Sequence, residues 1–214
     1  MSSTLRITEI FFSLQGESTR VGLPTIFVRL TGCPLRCKYC DTAYAFTGGT
    51  VMDIERIYAE VKQYPTRYIT VTGGEPMAQP DVNSFLRGLC DRNYLVSLET
   101  GGAIALGEVD HRVMKVVDLK TPGSGEIERN LYKNLDYLSE TDQVKFVICD
   151  RDDYQWARDK IAELAISSRC EVLFSPSSDQ LLARDLADWI LRDGLAVRMQ
   201  IQLHKQLWGN VPGK

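Results

Sequence analysis

Apolar runs of strand length alternate with helically spaced stretches from about residue 25 onward. Thr25-Ile26-Phe27-Val28-Arg29-Leu30, β-branched and aromatic between Pro24 and Gly32, reads as a buried strand. Asp53 is placed to cap a helix that carries Ile54, Ile57, Tyr58 and Val61 on one face. The pattern then predicts a strand over Tyr68 to Thr72, a helix from about Asp81 to Arg92, and a strand from Tyr94 to Leu98. Further strands are expected at Val113 to Asp118, Val144 to Ile148, Glu171 to Phe174 and Val197 to Leu203. Helices are expected near Leu131 to Leu138, Asp153 to Ala165 and Leu181 to Leu191. Apolar strands separated by amphipathic helices imply βαβ units and a parallel sheet. About six such units are too few for a closed eight-stranded barrel, which takes about 250 residues. The expected fold class is α/β, a partial, open TIM-like barrel of about six βα units.

The polar, glycine-rich segments all follow strands, which in a parallel barrel puts them on one rim. They are the cysteine loop after Leu30, Gly73-Gly74-Glu75-Pro76, Glu99-Thr100-Gly101-Gly102, Asp118-Leu119-Lys120, and Ser175-Pro176-Ser177-Ser178. Packing alone does not explain such a gathering.

Composition narrows the class without naming the chemistry. The 214 residues suffice for one domain with a sizeable core, and no linker, repeat or low-complexity stretch divides residues 1–214. A net charge of −3 with scattered basic residues gives no nucleic-acid surface. The N-terminus runs straight into Leu5-Arg6-Ile7, and no run approaches the 18 or so apolar residues of a membrane span, so a cytoplasmic protein is expected. Cys90, Cys149 and Cys170 read as small buried hydrophobes.

The other three cysteines carry the chemistry. Cys33, Cys37 and Cys40 form a C-x₃-C-x₂-C loop. Each thiolate can hold one iron of a 4Fe–4S cube, leaving the fourth iron open to a small molecule, whereas ordinary electron-transfer clusters are closed by four cysteines. Structural zinc wants four ligands, and no further Cys or His lies nearby to complete such a site.

With Gly73-Gly74-Glu75-Pro76 at a strand end some thirty residues on, the cysteine loop resembles the radical S-adenosylmethionine (SAM) superfamily. Ile7-Thr8-Glu9-Ile10-Phe11-Phe12-Ser13-Leu14-Gln15-Gly16-Glu17, Cys40-Asp41-Thr42 and Gln202-Leu203-His204-Lys205 further resemble the 7-carboxy-7-deazaguanine synthase family, in motif order and over nearly the whole chain. Some members enlarge the cysteine loop; this chain keeps the short form. The resemblance implies a radical SAM domain with a substrate-binding strand and loop at residues 5–24 and a cluster loop at 32–50. It implies ring contraction of 6-carboxy-5,6,7,8-tetrahydropterin to 7-carboxy-7-deazaguanine with loss of ammonia, in the route to queuosine and other 7-deazapurines. A reduced cluster would pass one electron to SAM, and the 5′-deoxyadenosyl radical would take hydrogen from C6 of the pterin. The implied cofactors are the cluster, SAM and Mg²⁺; the implied partners are a flavodoxin or ferredoxin and a second copy of the chain.

The same resemblance assigns roles. Cys33, Cys37 and Cys40 would ligate the cluster. Tyr39, Cys40, Asp41, Gly74, Glu99, Thr100, Asp118, Leu119, Lys120, Ser175, Pro176, Ser177 and Ser178 would form the SAM site. Leu14, Gln15, Gly16, Glu17, Arg29, Thr72 and His204 would face the pterin. Elementary chemistry agrees for two of them: Glu17 can accept from the pterin's amide and amino edge, and Arg29 can clasp its carboxylate with both prongs. His204 is expected on the last strand, where a structural role is equally open. Thr42 matches the family's Mg²⁺ ligand, although Asp41 is the chemically more tempting oxygen donor. A glycyl-radical-activating enzyme would share the cysteine spacing and the shortened barrel, but would need an open groove for a protein backbone.

Overall fold

The computed structural model describes residues 3–209, Val211 and Gly213; the remaining C-terminal positions lie outside the described residues. Strands β1 (Thr4–Leu14) and β2 (Pro24–Leu30) form an antiparallel pair, and β3 (Thr50–Asp53) adds antiparallel to the other side of β1. The chain then alternates: α1 (Ile54–Val61), β4 (Tyr68–Gly73), α2 (Val82–Asp91), β5 (Leu95–Thr100), β6 (Met114–Asp118), β7 (Gln143–Ile148), α3 (Arg151–Glu163), β8 (Glu171–Pro176), α4 (Ala183–Asp193), β9 (Arg198–Met199) and α5 (Leu203–Trp208). Among the described residues the strands form one open sheet in the order β3-β1-β2-β4-β5-β6-β7-β8-β9, parallel from β2 to β9. This is the expected partial barrel, with an antiparallel edge that the hydrophobic pattern did not show.

The alternation of strand side chains separates two environments. Ile69, Val71, Val96, Leu98, Val144, Phe146, Val172 and Phe174 belong to the core, together with Ile57, Val61, Phe85, Leu86 and Leu89 of the flanking helices. Each such side chain, fully buried, contributes about 1.5–3 kcal/mol relative to exposure. The alternate positions Thr70, Thr72, Ser97, Glu99, Asp118 and Lys145 are polar. The open side is closed by the segment between β1 and β2. Ser18 N donates to Gln200 Oε1 at 2.8 Å, Thr19 N to Gln143 Oε1 at 3.0 Å, and Gln15 Nε2 to Thr70 at 3.0 Å. One short loop thus bridges the first strands to the last.

Three expectations change. Residues 132–137 form a tight 3-10 turn where an α-helix was expected, because Asn134 is pinned by bonds to Gly102 O and Ile104 O and from Leu106 N. The expected strand over Val197 to Leu203 shrinks to Arg198–Met199, because Gln200 turns its side chain to Ser18 and Leu203 opens α5. Asp53 stands at the start of α1 but makes no capping bond with its side chain. Among the described residues no helix is long and apolar enough to cross a membrane.

Candidate functional site

The strand ends and their loops surround a cavity of about 620 Å³. Every residue assigned from the sequence to the cluster, SAM, Mg²⁺ or pterin lines it except Leu119, whose side chain lies in the hydrophobic core. At one end stand Cys33, Cys37 and Cys40, all half-buried. Among the described residues no three Cys, His, Asp or Glu side chains are grouped to hold a single metal ion. A cubane asks for something else, one thiolate per iron, and so for wider spacing. Desolvation raises the Cys33 thiol and pushes Cys37 up to about 11, the latter opposed by Lys120, so cluster binding must displace thiol protons.

The glycine loop after β4 is built against the cysteine loop. A Cβ on Gly74 would come within 2.2 Å of Gly32 O and 2.9 Å of Cys33 Cβ. Glu75 N donates to Gly32 O at 2.8 Å. The Glu75 carboxylate, wholly buried, accepts from Thr100 Oγ1 and from the Gly101 and Met77 amides. Glu75 therefore fixes the ends of β4 and β5 together, and the Thr100 hydroxyl is already committed to it. Burial raises the Glu75 pKa against those bonds. Asp153, in the first turn of α3, does similar work for the later loops, accepting from Thr121 Oγ1, Gly123 N and Cys149 N. Tyr39 keeps its hydroxyl buried without a hydrogen-bond partner among the described residues, and Lys120 lies 5.9 Å from the centre of its ring.

Another part of the lining is aromatic and charged. Arg29 bonds Glu9 Oε1 through Nε at 2.7 Å and lies near the faces of Phe11 and Tyr44. Phe11 itself stacks on Phe27, its register partner across β1 and β2. Glu99 stands with the residues assigned to the pterin: Gln15 Nε2 donates to Oε1 at 3.3 Å and Thr72 Oγ1 to Oε2 at 3.0 Å. Desolvation, then the neighbouring Glu17, raise its pKa. Glu17 Oε2 lies 2.7 Å from Lys145 Nζ. Lys145 escaped the sequence assignment, and its signal was a lone cation inside the otherwise apolar run of β7 at an inward position.

Helix α5 closes the remaining side. His204 is on this helix, not on a strand, and its imidazole packs where a Cβ on Gly16 would fall. Burial lowers its pKa. Asp41 Oδ2 accepts from Gln202 Nε2 and Lys205 Nζ, each at 3.0 Å, while Oδ1 accepts from Thr42 at 2.8 Å. Desolvation opposes the Asp41 charge, but those bonds outweigh it and hold the carboxyl below its ordinary range. Gln202 and Lys205 lay in a motif noted in the sequence without a role.

Three soft thiols and a set of oxygen and nitrogen groups lining one cavity suit a metal cluster beside a polar, planar ligand. Comparison with known proteins agrees. Residues 27–120 match the Radical SAM superfamily. The chain is 45% identical over 207 residues to the 7-carboxy-7-deazaguanine synthase of Chlorobaculum tepidum, covering 95% of this chain and 94% of that one. It is 42% identical over 219 residues to the enzyme of the same name from Koribacter versatilis, covering 95% and 97%. Among solved structures, QueE from Escherichia coli superposes with a TM-score of 0.77 at 23% identity, over 94% of this chain and 95% of that one.

Proposed function

The chain belongs to the 7-carboxy-7-deazaguanine synthase family of radical SAM enzymes, and from that premise we infer that its cavity contracts the ring of 6-carboxy-5,6,7,8-tetrahydropterin to 7-carboxy-7-deazaguanine with loss of ammonia. The observation that carries the reading is one cavity lined both by the three thiols and by Gln15, Glu17 and Arg29.

When bound, the reduced cluster and SAM supply the one-electron chemistry that begins with loss of hydrogen from C6 of the pterin. Cys33, Cys37 and Cys40 would hold the cluster, and the Gly74 backbone lies against Gly32 and Cys33 of the same loop. Tyr39, Asp41, Thr100, Asp118, Lys120 and the 175–178 loop flank SAM, with Glu75 and Asp153 fixing the loops from behind. Glu17 accepts from the pterin's amide and amino edge, and Arg29, braced between Phe11 and Tyr44, clasps its carboxylate. Gln15, Thr72 and Glu99 add a polar floor, and His204 packs over Gly16. Held in this way, the ligands meet in a fixed orientation away from bulk water.

Thr42 rather than Asp41 is the Mg²⁺ ligand in this reading, because Asp41 already accepts from Gln202, Thr42 and the Lys205 ammonium. One hydroxyl cannot satisfy an ion that takes about six oxygens, so the substrate carboxylate and water would have to supply the rest. Thr42→Ala is expected to lower Mg²⁺-stimulated turnover about tenfold or more while leaving the iron content unchanged. Full stimulation in that variant would remove Thr42 from the metal site. The whole chain acts as one domain. A one-electron donor such as flavodoxin or ferredoxin supplies the reductant, and the family's common dimer in the cytoplasm completes the reading.

The test is anaerobic: reconstituted protein, reductant, SAM, Mg²⁺ and 6-carboxytetrahydropterin, analysed by mass spectrometry. Formation of 7-carboxy-7-deazaguanine is the expected result. SAM cleavage without that product would keep the radical chemistry and discard the substrate.

A further inference from the structure

Strands β6 and β7 run parallel with Asp118 in register with Lys145, and both line the cavity. The Lys145 ammonium lies 2.7 Å from Glu17 Oε2 and 3.7 Å from Asp118 Oδ2. Glu17 belongs to the segment between β1 and β2, and Asp118 to the rim at the end of β6. One cation therefore lies within 4 Å of carboxylates from two separate segments of the cavity lining. Lys120 holds the same Asp118 oxygen at 3.1 Å. The other oxygen, Asp118 Oδ1, is buried with no hydrogen-bond partner among the described residues. A buried acceptor left without a donor is costly, and a ligand group can satisfy it.

Burial works against the charge on Lys145, but Glu17, Asp118 and Glu99 outweigh it and raise its pKa above the ordinary lysine value. The group is thus a fixed cation at neutral pH, and neither carboxylate can turn without changing the field at the other. Low local dielectric makes that mutual influence strong over distances below 4 Å.

We propose that Lys145 is a positioning residue shared by both halves of the cavity, orienting Glu17 toward the pterin and Asp118 toward SAM, and so coupling the affinities of the two ligands. The proposal rests on the substrate reading given above. A ligand that fixes one carboxylate orders the ammonium, and the second ligand then meets a partly ordered site. Coupling of this kind is reciprocal: whatever factor the pterin adds to SAM binding, SAM adds to pterin binding. A merely structural lysine would lower stability, or weaken both ligands alike, without changing that factor.

The test is calorimetric titration of cluster-loaded protein with SAM, without reductant so that nothing turns over, in the absence and presence of saturating 6-carboxytetrahydropterin. The pterin is expected to tighten SAM binding about fivefold or more in the natural protein. In Lys145→Met the factor should fall to near one with iron content and visible cluster absorption intact, and Lys145→Arg should restore part of it. A natural protein that shows no factor, or a factor that survives Lys145→Met, overturns the proposal alone. A protein that binds SAM but not the pterin overturns the substrate reading and the proposal with it. Should Lys145→Met fail to fold, Glu17→Gln and Asp118→Asn each cut one arm, and a factor that survives either cut has the same overturning force.

Discussion

Two lysines sit at different levels of neighbouring strands, and they do different things. Lys115, near the start of β6, pairs with Asp142 at 3.1 Å, with side-chain exposures of 5% and 0%. Asp142 is saturated: Oδ1 accepts from the Lys115 amide, and Oδ2 accepts from the amide and hydroxyl of Ser139. Lys145, in the middle of β7, is shared between two carboxylates, one of which keeps a buried oxygen without a partner among the described residues. The residue types are alike, and burial differs only in degree, with the Lys145 side chain 15% exposed. What separates a strut from a site is whether the acceptors are used up. A closed pair holds the fold, whereas the unfilled acceptor beside Lys145 lies on the cavity lining, where the proposed ligand can meet it.

The two ends should therefore fail in different ways. The largest effect belongs to the cluster end. Cys37→Ala is expected to abolish cluster assembly and turnover, because two thiolates cannot hold a cube that needs three. Its half-buried position predicts a change in apo-protein stability of only about 1 kcal/mol or less. Iron analysis and urea melts of the apo form check both halves. A Cys37→Ala protein that retains a full, catalytically competent cluster would break the assignment. The strut end should do the reverse. Asp142→Ala strands a buried ammonium and the donors of Lys115 and Ser139, at a cost of about 3–5 kcal/mol. The fraction that folds should bind SAM with unchanged affinity. Weakened SAM binding with unchanged stability would erase the distinction between the two lysines.

The same contrast explains what was legible in the sequence. The helix-facing side of the sheet announced itself, because Ile69, Val71, Val96 and Leu98 form apolar runs bounded by turn residues. The rim loops were legible because Cys33, Cys37, Cys40 and the Gly73-Gly74 pair are rare chemistry at fixed spacing. Residues whose meaning lies in a distant partner were not. Lys145 is informative only beside Glu17, which is far away in the chain, and Lys115 reads identically until Asp142 is seen to be saturated. Helix α5 was hidden for a related reason: Leu203 N bonds Gly16 O, and Lys205 bonds Asp41, so tertiary contacts turn a strand-like apolar stretch into a short helix. The antiparallel strand β1 carries a register shift between Ile7 and Glu9, which breaks the simple alternation that would have revealed it.

Glu99 offers the smallest and sharpest test of the unfilled end. Desolvation and the nearby Glu17 raise its folded-state pKa above the ordinary glutamate value. Below about pH 4, near the unfolded value, both states hold the proton and the group costs nothing. As pH rises past that point the unfolded chain ionises first, so stability falls until the folded carboxyl ionises too. Glu99→Gln carries no such term, and glutamine can still accept from Gln15 and meet the Thr72 hydroxyl. The variant's stability relative to the natural protein should therefore be flat at acid pH and climb toward neutrality, by about 1.4 kcal/mol for each unit by which the pKa is raised. Urea melts of the apo forms across that range measure the difference directly. A difference independent of pH would mean that Glu99 is as settled in its surroundings as Asp142, and that the open end of the barrel stores no electrostatic cost for a ligand to relieve.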